Sequence, residues 1–98
     1  MEVFKTRYEL PDKPKHIQQA LELDKAEIIN IQLRTSEVLK EHHAKVDVLI
    51  IVRSGLVEFT VEGERVKLTS ERILHINAYE NHHLLALEDT DLLVIKLK

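Results

Sequence analysis

SGLVEFTVEGERVKL, Ser54 to Leu68, reads as two short strands joined by a tight turn. Val57, Phe59 and Val61 alternate with Glu58 and Thr60, the period of a strand with one apolar and one polar face. Glu62-Gly63 interrupts the alternation, and Arg65, Val66 and Leu68 resume it, as a two-residue hairpin requires.

The same reading extends in both directions. Upstream, VDVLIIV from Val46 to Val52 is β-branched and apolar on both faces until Ser54-Gly55 breaks it, the pattern of a central strand. Every residue from Val48 to Val52 is apolar, so the face turned away from the interior needs a cover. A second copy of the chain is the expected cover; Val3 and Phe4 of the N-terminal arm are the alternative. Downstream, Ile73 to Ile76 is a short strand, Asn77 to Asn81 a polar loop, His82 to Leu87 a strand, Glu88 to Asp91 a turn and Leu92 to Leu97 the last strand.

Towards the N-terminus, Ile17 to Leu23 fits helix or strand by periodicity. Asp24-Lys25 as a turn into Ile28, Ile29, Ile31 and Leu33 favours a hairpin. Pro11 and Pro14 set off an arm over residues 1–15, a strand or docking segment. No helix-length periodic segment follows residue 40, so an all-β sandwich or barrel is expected, one domain over residues 1–98.

Composition narrows the function. The chain is 44% apolar and 32% charged, enough for both a core and a soluble surface. Its net charge of −3 comes from interspersed residues, and without a basic stripe no nucleic-acid partner is expected. Charges at Glu2, Lys5, Arg7 and Glu9 interrupt any signal-peptide pattern, and Val48 to Val52 is too short to span a bilayer. The expectation is therefore a cytoplasmic protein with no membrane partner. Two glycines cannot make a nucleotide-binding fingerprint, and without cysteine there is no thiol nucleophile or disulfide framework. A small domain lacking such staples gains burial by pairing, a second argument for a homodimer.

The hairpin at Ser54 to Leu68 and the tail HHLLALEDTDLLVIKL resemble a small single-domain cupin of type-2 kind. The resemblance covers about residues 26 to 97 and implies a double-stranded β-helix, or jelly-roll barrel. In that family two motifs bring three histidines and one glutamate onto a divalent metal inside the barrel. The first motif, begun at Ser36, puts His42 at the first His position, Ala44 at the second, Val48 at the Glu position and Gly55 at the closing Gly; His42 and Gly55 match. The second puts Glu71, Asn77, Tyr79, His82 and Ala86 at its marked positions, and only His82 matches. The metal motif is thus degenerate.

The resemblance makes His42 and His82 the candidate metal ligands. His43 or Asp47 is a substitute donor only if a bulge between residues 43 and 47 turns it inward, since regular strands would point both away. Two imidazoles alone hold a metal weakly, and Ala44 and Val48 put apolar groups where donors belong. No tightly held cofactor is expected. Six histidines are present, and His42 with His82 suit either an anionic or carbonyl ligand or acid–base work near neutral pH. Val48, Ile50 and Phe59 complete the candidate pocket, with His75 as a pocket or core residue and Tyr79 as a cap at the mouth or a loop residue in solvent.

The expected function is small-molecule binding in the barrel. The alternative is a metal-dependent cupin enzyme, a dioxygenase or isomerase, using His42 and His82 with His43 or Asp47.

Overall fold

The structure, a computed structural model, describes residues 1–98 and contains nine strands and no helix. They are β1 (Lys15–Glu22), β2 (Ala26–Leu33), β3 (Val38–His42), β4 (Val48–Ser54), β5 (Val57–Val61), β6 (Glu64–Leu68), β7 (Ile73–Ile76), β8 (His82–Ala86) and β9 (Thr90–Leu97). The pairings are antiparallel and build two facing sheets, ordered β1-β2-β9-β4-β7 and β3-β8-β5-β6. This is the all-β, two-sheet barrel the sequence predicts. No helix is long and apolar enough to cross a membrane.

The β5–β6 hairpin pairs Val61 with Glu64, leaving Glu62 and Gly63 as the turn, at φ 47° and 83°. Positive φ at both central residues gives the turn a twist that matches its strands. Gly55 serves a different end. At φ 95° it lies so close to the next turn that a Cβ would overlap the Asp89 carbonyl oxygen and sit 2.8 Å from Thr90 Cα. Only glycine fits where β4 turns into β5 against the start of β9.

The β1–β2 hairpin forms as the Asp24-Lys25 break suggests, with a bulge between Gln19 and Leu21. Two expectations are refined. The strand read from Val46 begins at Val48, because Asp47 uses its side chain to hold the loop at Ala78. And β3 is a strand that the alternation does not disclose, since its register slips between Leu39 and His42.

Inward-facing residues form one cluster. Ile50 and Val52 on β4, Val57 and Phe59 on β5, Leu68, Ile76, Leu84 and Leu92 are all 2% exposed or less. Burying side chains of this size contributes about 2 kcal/mol each before the entropy of ordering them is subtracted.

The outer face of the five-stranded sheet has two halves. At one end Asn30, Gln32 and Asp91 are buried although polar, because the arm lies over them. Glu9 N–H donates to Gln32 Oε1 at 2.7 Å, and Gln32 Nε2 donates to the Arg7 carbonyl at 2.8 Å and to Asn30 Oδ1 at 2.8 Å. Asn30 Nδ2 donates to Asp91 Oδ1 at 2.7 Å, and Arg53 grips both Asp91 oxygens at 3.0 and 2.8 Å while reaching Thr6 Oγ1. No buried side-chain polar atom is left unpaired. Leu10 anchors the arm at 3% exposure, and residues 1–14 form no strand, so of the two expectations for the arm it is the docking segment.

At the other end the face is apolar and bare. Leu49 and Ile51 of β4 lie in register with Ile95 and Leu93 of β9, and Ile95 in turn with Ile28 of β2. Ile73 of β7, opposite Ile51, is 67% exposed. Val3 and Phe4 are both exposed.

Candidate functional site

A cavity of about 290 Å³ opens between the sheets, with seven of the nine strands contributing to its wall. Its floor is apolar: Ile29, Ile31, Ile50, Phe59, Leu84 and Val94. Its polar groups are His42 and Lys40 from β3, His82 from β8 and Lys96 from β9. No carboxylate lines it.

The two histidines meet because β3 and β8 pair them directly, His42 opposite His82. Their ring centroids are 4.3 Å apart in an edge-on arrangement. Each ring folds back on its own strand: His42 Nδ1 reaches the Lys40 carbonyl at 2.9 Å and His82 Nδ1 the Glu80 carbonyl at 3.0 Å. A carbonyl only accepts, so both Nδ1 atoms carry hydrogen, and the neutral form of such a ring keeps its lone pair on Nε2. Neither Nε2 has a protein partner. His82 is 5% exposed yet contributes no sealed, unpaired atom, so its Nε2 opens into the cavity.

Burial pushes the His82 imidazole below its ordinary value; the Glu80 carbonyl opposes this and the neighbouring His42 adds to it. His82 is therefore neutral at neutral pH and presents an acceptor.

The bulge in β3 sets the rest. Two residues, Lys40 and Glu41, stand opposite His83 where one would in a regular ladder, which brings both Leu39 and His42 inward. Lys40 then reaches the cavity wall from an exposed position and has no carboxylate partner. Lys96 is held 3.8 Å from Glu27, whose other contact is the Gln19 amide.

Of the residues singled out from sequence, His42, Ile50, Phe59 and His82 line the cavity. Val48 faces the interior but lies in the packed core, and Ala44 packs against that core. The positions that the resemblance assigns to a second histidine and a glutamate thus point into the protein with no donor atom. His75 is on the outer face, opposite Leu49, and donates from Nε2 to Asp47 Oδ2 at 2.9 Å. That bond and the Ala78 N–H hold the Asp47 carboxyl below the usual carboxylate range. Asp47 is thereby committed outside, away from His42 and His82. The bulge falls before His43 rather than after it, and His43 lies 6.0 Å from the Tyr79 ring instead of joining the pair. Tyr79, at φ 68° and 63% exposed, is a solvent-facing loop residue. No group of three or more His, Asp or Glu side chains converges anywhere, so the donors present do not fit the metal centre that the resemblance implies.

Sequence reasoning missed both lysines. Lys96 was discoverable: Leu92 and Val94 alternate inward on β9, and a lysine in the next inward position departs from the core pattern. Glu27 departs in the same way ahead of Ile29 and Ile31, and the two pair. Lys40 was not, since the bulge that aims it leaves no mark in the residue types.

No model of a known protein family matches the sequence, and no curated protein matches it. Solved structures do. A double-stranded β-helix protein of the RmlC-like cupin family from Methanocaldococcus jannaschii superposes with a TM-score of 0.84 at 16% identity, covering 99% of this chain and 90% of its own. A cupin superfamily protein from Desulfitobacterium hafniense gives 0.79 at 19% identity, covering 85% of this chain and 76% of its own. Salicylate 1,2-dioxygenase from Pseudoaminobacter salicylatoxidans gives 0.70 at 17% identity over 74% of this chain, but only 20% of that enzyme is matched. At such identities the likeness is one of fold.

Proposed function

We propose, from the premise that this chain has the cupin fold, that it binds a small molecule in the cavity between its sheets without a tightly held metal. The observation that carries the reading is the wall itself. It joins an apolar floor to two imidazoles whose Nε2 atoms have no protein partner, while Ala44 and Val48 stand where the cupin register has metal donors. A concave apolar site with a few convergent polar groups is the usual form of a small-ligand pocket.

The enzyme alternative, a dioxygenase or isomerase, needs a third donor. Asp47 is paired with His75 on the outside, and His43 is turned towards Tyr79. The dioxygenase of similar fold lends that alternative its fold only.

Elemental analysis of protein purified without an affinity tag, with His42→Ala and His82→Ala beside it, separates the two. Sub-stoichiometric metal in all three, with small apolar probes shifting the Phe59 and Leu84 resonances, is the expected result. One metal per chain, lost in either variant, would restore the enzyme.

The working unit in this proposal is a homodimer formed through the bare half of the outer face. Leu49, Ile51, Leu93 and Ile95 form a continuous apolar row beside the arm, and a stable interface needs about 800 Å² from each partner.

A further inference from the structure

The cavity's charges and lone pairs are complementary to one kind of molecule. We infer that the ligand is a small hydroxy acid with a compact apolar body, its carboxylate met by Lys40 and its hydroxyl donating to a histidine Nε2. This rests on the proposal that the cavity binds a small molecule, and it names the class.

The anion follows from Lys40. Four basic side chains and no acid line the wall, and of the two lysines Lys96 has its charge answered by Glu27. Lys40 has neither ion pair nor hydrogen bond through its ammonium, and it stands on the exposed bulge beside an apolar hollow. A carboxylate there gains a charge-assisted hydrogen bond next to low-dielectric walls.

The hydroxyl follows from the histidines. With both Nδ1 hydrogens committed to backbone carbonyls, a ring in its neutral form, as at His82, offers an acceptor only, and an acceptor facing a carboxylate would repel it. A ligand that brought only an anion would leave these lone pairs unmet, whereas a hydroxyl supplies the donor. Size agrees. About 290 Å³ is the volume of roughly ten waters at about 30 Å³ each, which suits an acid the size of hexanoate.

The test measures the affinities of three probes, 3-hydroxyhexanoate, hexanoate and methyl hexanoate, by calorimetry and by shifts of the Phe59 and Leu84 resonances. Hexanoate is expected to bind about tenfold tighter than its methyl ester, and the hydroxy acid about fivefold tighter again. Lys40→Met, an exposed substitution that keeps the stem, should erase the preference for the acid over the ester. His42→Phe should reduce the preference for the hydroxyl and leave the acid preference standing. Ester and acid binding equally, or Lys40→Met leaving hexanoate unaffected, would overturn the assignment while the pocket survived as an apolar site. If none of the three probes moves the cavity resonances, the small-molecule reading falls and this one with it.

Discussion

The two halves of the outer face of the five-stranded sheet are finished in opposite ways. Under the arm, Asn30, Gln32, Asp91 and Arg53 are linked into a network in which the buried side-chain groups are bonded, closed by the Arg7 carbonyl and the Glu9 amide. Beyond the arm's hydrogen bonds, Leu49, Ile51, Leu93 and Ile95 form a partly buried apolar row. The arm is held by directional bonds, and the surface beside it is apolar. A cover built from hydrogen bonds fixes one position, while a bare apolar patch supplies driving force with little direction.

The largest effect should come from the network. Asp91→Ala strands the Arg53 guanidinium and the Asn30 amide, and a loss of about 3 kcal/mol is expected in urea unfolding. A loss below about 1 kcal/mol would mean that water replaces Asp91 and that the polar half is less distinct than its geometry suggests. Removing residues 1–8 takes away the Arg7 carbonyl and Thr6 but opens Gln32 to solvent, so about 1–2 kcal/mol is expected, read as a lowered Tm. Ile51→Lys, in the bare half, should change monomer stability by less than about 1 kcal/mol yet convert the proposed dimer to monomer by sedimentation. Unchanged mass would remove the contrast between the halves. The smallest effect is at the rim of the bare half. The Asp47 carboxyl is depressed by His75 and the Ala78 amide, so its hold on the loop is full above the ordinary carboxylate value and lost as pH falls through the depressed one. The Ala78 amide shift should follow that titration, and Asp47→Asn should flatten it.

The architecture was legible because period-two alternation is strong wherever one face is buried, as at Val57, Phe59 and Val61. Gly55 and Gly63 marked turns that the backbone does adopt with positive φ. The site was legible by half. His42 and His82 stand opposite one another across paired strands, as a register counted from Ser36 and Glu71 can suggest. Lys40 was hidden, because a bulge changes which way a side chain points without changing its type. Asp47, a donor only if a bulge after His43 turned it inward, points outward as a regular strand requires and is spent on a loop. The polar cover of Asn30 and Gln32 was hidden for another reason: inside a strand otherwise rich in isoleucine they read as solvent-facing residues, and only the returning arm buries them.

The strand order carries a consequence for how the protein is made. β9 lies in the middle of its sheet, between β2 and β4, although it follows the other eight strands in the chain. The hairpins β1–β2 and β5–β6 can close as they leave the ribosome, but the five-stranded sheet has a gap at its centre until Leu97 has emerged. At about 5–20 residues per second, the nascent chain spends seconds with β2 and β4 both lacking a neighbour, the interval in which it most needs protection from other chains.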